Sequence, residues 1–337
     1  MNAAQRKQWH IEQALRQQAA SVAVAHPFDR IRLTHNALPD VNFDEIDLSA
    51  EFFGKSMASP MFVSAMTGGI DWANDINRAL AEACRERSWA MGVGSQRIQL
   101  DDDRGQGFEK LRHWAGDIPL FANYGAVNLL GLKDVADLKR LTDPLQADAL
   151  VLHLNPMQEV FQYGGDLNWK GVARCIEAVC RDLAVPVVIK EVGFGITSAV
   201  ATQLVELGVA AIDVAGRGGT RFDSIEAAAN TRVQSQAEVF ADWGQDTVEC
   251  LQHMPALPVD VWASGGLRNG LDVAKSMALG ASACGFAGRL LEPATQSAEA
   301  VIEIMDQLSS ELRLACFGLG VQRVSDIDNT HIWKEAR

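Results

Sequence analysis

The six cysteines, Cys84, Cys175, Cys180, Cys250, Cys284 and Cys316, include no C-x-x-C pair and do not fall into the paired spacing of a metal finger. They read as reduced thiols, mostly in the core, of a cytoplasmic protein. Positive charge is also scarce. Thirty Lys and Arg stand against 43 Asp and Glu, a net charge of −13, which disfavours non-specific attraction to nucleic acid or to anionic lipid. An anionic ligand must therefore find a local basic cluster or a site built from backbone amides. No apolar run approaches the roughly eighteen residues that a membrane span needs. The stretch AASVAVA at 19–25 ends in an A-x-A-like triplet, but a polar segment of mixed charge precedes it, so it does not read as a secretory signal.

With 337 residues and 48% hydrophobic content, the chain can bury a large core, as two ordinary domains or as one barrel with insertions. Residues 1–18 read as a helix with a basic start, and 26–51 as an irregular extension. From residue 60 onward, short apolar runs of strand length alternate with helical segments, which is the mark of parallel βαβ construction. The expected strands are 60–66, 89–94, 119–125, 149–155, 185–193, 210–216, 259–265 and 283–288. Helices are clearest at 72–87, 168–182, 197–207, 269–279 and 298–312. Eight strands with crossovers give an α/β fold, a (β/α)₈ TIM barrel with an N-terminal helical extension. An open doubly wound sheet would carry G-x-G-x-x-G after its first strand, and this chain has no such turn there. The reading is one domain: extension 1–59, barrel 60–312, tail 313–337. The long segment 217–257 is a candidate lid.

Most of these strands end in Gly, Asn, Ser or a charged residue, which gathers polar groups on the rim where barrels keep their active sites. The seventh closes on Ser264-Gly265-Gly266-Leu267-Arg268-Asn269-Gly270 and the eighth on Gly285-Phe286-Ala287-Gly288-Arg289. Glycines at these two ends suit a phosphate cradle, because they let backbone N–H groups approach oxyanions; singly, each is as well explained by a tight turn. Lys190 ends a buried strand, where a cation is costly unless it meets an anion or an electron-rich ring, or snorkels to solvent. SAMTGG at 64–69 suits close backbone approach to a flat ligand. His153, Asn155, Gln158 and Glu159 crowd one strand end, with His153 and Asn155 on the same face. Glu159 is suited to a hard cation such as Mg²⁺. Arg6, Lys7 and His10 form a basic cluster, either a solvated helix face or an anion site.

These residues carry a resemblance that runs nearly end to end. RK-x-x-H at 6–10, FDRIRLTHNALPD at 28–40, SAMTGG, GVGSQR at 92–97 and LHLNPMQE at 152–159 closely resemble the type 2, FMN-dependent isopentenyl-diphosphate isomerases. So do KEVGFGI at 190–196, AGRGGTRFDSIE at 215–226 and SGGLRNGLDVAKSMALGA at 264–281. The last motif also occurs in other FMN and phosphate-binding barrels; the basic N-terminal motif with HLNPMQE is specific.

The resemblance implies that Ala65, Met66, Thr67, Ser95, Asn123, Lys190, Thr220, Gly265, Gly266, Arg268, Ala287 and Gly288 surround FMN. It implies substrate contacts from Arg6, Lys7, His10, Arg97, His153, Asn155 and Gln158, with Gln158 and His153 as the catalytic pair and Glu159 on Mg²⁺. Isopentenyl diphosphate and dimethylallyl diphosphate would be the substrate and product. NADPH would keep the flavin reduced, and the protein would be a cytoplasmic homo-oligomer, a tetramer or octamer. Gln158, being neutral, cannot be a strong base and is expected to orient or relay. One departure stands at Arg221-Phe222, where many members have small or polar residues and an aromatic.

Two other readings compete. An FMN-dependent hydroxy-acid oxidoreductase would share the cradle, but it needs a histidine base between strands six and seven, where no histidine precedes His253. A non-catalytic flavin-binding barrel would be expected to lose part of the substrate set, which is all present here.

Overall fold

The computed structural model describes residues 3–20, 26–66, 71–101, 108–230 and 232–333. A hairpin, β1 (Ala50–Phe52) and β2 (Lys55–Met57), precedes eight strands. These are β3 (Met61–Val63), β4 (Ala90–Gly92), β5 (Leu120–Gly125), β6 (Ala149–Leu154), β7 (Val187–Glu191), β8 (Ala211–Asp213), β9 (Asp260–Ala263) and β10 (Ala283–Phe286). Strands β3 to β10 form a closed parallel barrel, shut by the pairing of Cys284 with Met61. Each lies within one of the eight runs expected from sequence.

Alternation along the strands sorts the barrel into two cores. Met61, Met91, Leu120, Leu150, Ile189, Ile212 and Cys284 face outward and pack in the core beneath the helices. Phe62, Ala90, Phe121, Ala149, Val151, Val188, Ala211, Trp262 and Ala283 face inward and fill the lower barrel. The hairpin plugs that end: Phe52 meets Trp262 with ring centroids 5.6 Å apart and Phe62 at 6.0 Å. Its turn is Phe53 (φ 50°) and Gly54 (φ 80°), two left-handed residues of the kind that match hairpin twist. A phenylalanine in that conformation is unusual, which is why the hairpin was not legible.

The N-terminal helix runs over Ala3–Ala20. The last helix, Ala298–Leu319, continues past the expected end at 312, because Leu312, Cys316 and Leu319 extend the buried stripe begun by Val301, Met305 and Leu308. The long segment after β8 folds into three helices, Phe222–Ala229, Gln234–Val239 and Thr247–Gln252. All six cysteines are free. Among the described residues no helix is long and apolar enough to cross a membrane.

Candidate active site

Two residues beyond the inward apolar layer, alternation brings the next inward position of each strand to the upper end of the barrel. Those positions are Ser64, Gly92, Asn123, His153, Lys190, Asp213, Ser264 and Gly285. The lower barrel is therefore apolar and the layer above it is polar or glycine throughout. A cavity of about 1150 Å³ opens on this layer.

The polar layer is cross-linked. Asn123 donates from Nδ2 to Val93 O (2.9 Å), which leaves its Oδ1 to meet His153 Nδ1 at 2.8 Å. His153 therefore carries its proton on Nδ1 and presents a lone pair at Nε2. Burial, reinforced by the Lys190 ammonium, pulls the His153 pKa down to about 4, so the imidazole is neutral at neutral pH. Lys190 Nζ donates to Glu191 O (2.7 Å) and lies 3.9 Å from Asp213 Oδ2. Asp213 accepts from Ser264 Oγ at 2.7 and 2.9 Å. Burial pushes the Asp213 pKa up, and the neighbouring ammonium and hydroxyl oppose that shift. Glu191 turns its carboxylate back onto the N–H groups of Val192, Gly193 and Phe194 and so fixes the loop that follows Lys190.

The N-terminal helix forms the roof. Arg6, Lys7, His10, Ile11, Ala14 and Gln17 line the cavity, a stripe of one helix face. His10 Nε2 lies 3.0 Å from Glu226 Oε1, within ion-pair distance but without hydrogen-bond geometry, and its ring meets Phe222 edge-on. Glu226 also accepts from Gln158 Nε2 (3.0 Å), while Gln158 Oε1 accepts from Asn155 Nδ2 (3.3 Å). Glu159 accepts from Asn155 Nδ2 at 2.8 Å on Oε1 and from the Asp166 N–H at 2.7 Å on Oε2. Asp166 in turn holds Arg97 Nη1 at 3.0 Å.

Apart from Thr67, which lies outside the described residues, every site residue expected from sequence lines this one cavity. Sequence reasoning assigned no individual role to Asp213, Ser264 or Glu226, although Ser264 and Glu226 lie within segments it singled out. The first two were available from strand alternation alone. Glu226 closes the stretch AGRGGTRFDSIE at 215–226, but nothing local to it shows that its carboxylate meets Gln158. His253, the histidine an oxidase reading would have to use, is exposed at a helix end, its Nδ1 against Glu249 O, and does not line the cavity.

Residues 3–103 and 130–334 match the family described as FMN-dependent dehydrogenase. The chain is 46% identical to the isopentenyl-diphosphate delta-isomerase of Vibrio campbellii, covering 94% of each chain. It is 44% identical to that of Pseudescherichia vulneris over 97% of this chain and 96% of the other. The chain belongs to the FMN-dependent, type 2 isopentenyl-diphosphate delta-isomerases. Among solved structures, a mandelate oxidase superposes with a TM-score of 0.66 at 20% identity, covering 95% of each chain; at that identity the likeness is one of fold.

The cavity fits the cofactor of this isomerase family. The loop after β8 and the loop after β9 meet main chain to main chain: a Cβ on Gly265 would stand 2.0 Å from Gly216 O, and one on Gly266 2.6 Å from Gly218 C. Both glycines have positive φ, 93° and 85°, which side-chain-bearing residues rarely adopt. Arg268 is held by Asp272 and Asp29 through Nε and Nη2, and its Nη1 has no partner among the described residues. This rim suits one terminal phosphate, and Lys190 lines the same cavity.

Proposed function

We propose that this chain converts isopentenyl diphosphate into dimethylallyl diphosphate with reduced FMN as its acid–base cofactor. One observation carries the reading: a cationic helix face and the Asn155–Gln158–Glu226 cluster meet over a polar barrel end rimmed by glycine loops. The reaction needs a proton added at one alkene carbon and removed at another, and reduced FMN, when bound, supplies acid–base chemistry that side chains match poorly.

The chain supplies position and charge. Ala65, Met66, Ser95, Asn123, Lys190, Thr220, Gly265, Gly266, Arg268, Ala287 and Gly288 would enclose the cofactor, with Thr67 assigned to the same set. Arg6, Lys7, His10 and Arg97 would hold the diphosphate, which the rest of a protein of charge −13 repels. His153, neutral and fixed by Asn123, offers a directed Nε2 to the substrate, whose negative charge would favour its protonated form. Gln158 would orient or relay a proton, its amide held by the Glu226 carboxylate beside it.

Glu159 would provide one oxygen to Mg²⁺. Among the described residues no three His, Cys, Asp or Glu side chains gather into a metal site, which suits a cation that takes its other ligands from water and substrate phosphate. Glu159→Gln is expected to raise both the Mg²⁺ requirement and the KM while leaving FMN affinity intact. The new amide would set a donor against Asn155 Nδ2 or the Asp166 N–H. Titrating Mg²⁺ at fixed substrate checks this, and flavin loss would show the residue misassigned.

NADPH is the reductant in this reading and is not consumed stoichiometrically. A cytoplasmic location agrees with the six free thiols. Assembly into a tetramer or octamer belongs to the same reading. The deciding experiment is an anaerobic assay with isopentenyl diphosphate, FMN, NADPH and Mg²⁺. Dimethylallyl diphosphate should form well in excess of NADPH oxidised; one NADPH per product would mark a net oxidoreductase.

Lys7 gives this reading a pH signature. Burial and the neighbouring Arg6 charge pull its pKa down to about 8. A lysine binds an anion only while protonated, so the KM for isopentenyl diphosphate should climb as pH rises through 8. Lys7→Ala should raise KM roughly ten- to a hundredfold, the worth of one charge-assisted contact, and should flatten that limb of the pH profile. A KM like that of wild type would return the cluster to a solvated helix face.

A further inference from the structure

The cations that would meet the diphosphate are carried by a helix that must itself be fixed over the cavity. His10 contributes through Glu226 and Phe222, and both it and Lys7 belong to the binding set. One other polar contact on the same stripe has a different character. Gln17 Nε2 donates to Arg221 O at 3.2 Å, and the Arg221 N–H donates to Gln17 Oε1 at 3.0 Å. One side-chain amide thus satisfies both main-chain groups of a residue 204 positions away, as a neighbouring strand would. The Arg221 guanidinium turns the other way, onto Asp223 Oδ2 at 2.6 Å. The contact therefore reads the backbone of residue 221 and not its side chain, and it tolerates the arginine found here.

We propose that Gln17 is a positioning residue for diphosphate binding: its paired hydrogen bonds to the Arg221 main chain hold the N-terminal helix so that Arg6 and Lys7 face the cavity. Gln17 stands at the far end of the stripe from these cations, ten and eleven residues along the helix. Among the described residues its hydrogen bonds go to Arg221 alone, just past Thr220 at the end of the loop after β8, and none goes to Gln158 or Glu226. Its loss should act on the capture of substrate and leave the turnover of bound substrate alone. Only an amide meets both groups. A glutamate retains the acceptor and sets a second oxygen against Arg221 O, and a methionine keeps the shape and makes neither bond.

The inference rests on the proposed isomerase reading, so the test has one arm that uses catalysis and one that does not. In the reduced holoenzyme, Gln17→Met should raise KM for isopentenyl diphosphate roughly tenfold, the effect of two ordinary hydrogen bonds. The kcat at saturation should stay within about twofold and FMN affinity should be unchanged. Gln17→Glu should be no better than Gln17→Met despite its closer resemblance to glutamine. In the second arm, without substrate, trypsin should cut after Arg6, Lys7 or Arg16 several-fold faster in Gln17→Met than in wild type. A KM like wild type with unchanged cleavage overturns the proposal, as does a fall in kcat or in flavin affinity with KM unmoved. An inactive wild type overturns the isomerase reading instead, and the cleavage comparison then decides on the latch alone.

Discussion

Replacing Gln158 with leucine is expected to lower kcat by about 10²–10⁴-fold, the range typical of a lost proton-transfer group, with FMN still bound. The side chain is clamped at both ends. Its Nε2 donates to the Glu226 carboxylate and its Oε1 accepts from Asn155, so the amide is held in one orientation. Leucine keeps the volume and breaks both links, and the buried Glu226, 3% exposed, loses a neutral partner. Glu226→Gln should cause a loss of similar size, because it removes the carboxylate to which Gln158 Nε2 donates. If the two act as a unit, the double variant should be little worse than either alone. A kcat for Gln158→Leu within threefold of wild type would place the proton path elsewhere in the cavity.

The second large effect is on the cofactor. Gly265→Ala should yield protein that folds poorly and emerges with little flavin. A left-handed backbone alone costs a residue with a Cβ about 1–2 kcal/mol. The added carbon would also stand 2.0 Å from Gly216 O, a main-chain atom that cannot rotate away. Thr247 Oγ1 holds Ser264 O and Gly265 O, each at 2.7 Å, so the loop has little freedom to retreat. Displacing it would remove amide contacts to a phosphate, each worth roughly 1.5–3 kcal/mol when charge-assisted. FMN affinity should therefore fall on the order of a hundredfold or more, read as the ratio of flavin to protein absorbance after reconstitution. Flavin content like that of wild type would show that the cradle does not depend on this turn.

The barrel was legible because a parallel strand buried on both faces writes itself as a continuous apolar run, and eight such runs stand out against amphipathic helices. Boundaries were less legible. Ser64 and Ser264 continue the inward alternation and each still makes one main-chain bond across the barrel, Ser64 N–H to Phe286 O (2.8 Å) and Gly216 N–H to Ser264 O (3.1 Å), but the regular pairing has already ended, so the expected runs overshoot the strands by a few residues. The hairpin plug escaped because Phe53 occupies a turn conformation that normally calls for Asn or Gly. The residues given site roles from sequence, Thr67 aside, line the cavity, whereas Asp213 lies outside the quoted motifs and Glu226, though within one, had no role assigned. Their importance lies in what they touch across the barrel: Asp213 meets Lys190 one strand away, and Glu226 meets Gln158 from a different crossover segment. A motif records the chain's own neighbours, and these are neighbours only after closure.

That closure has a consequence for synthesis. Arg6 and Lys7 are made long before the strand that shuts the barrel, β10, which pairs back to β3 only when residue 284 meets residue 61. Until then β3 keeps one unpaired edge, and the roof helix has no finished rim to rest on. A nascent chain stalled before residue 283 would expose its cationic segment without a pocket beneath it. In the proposed reading, the ability to hold substrate would thus depend on barrel closure and would not grow in step with the length of chain made.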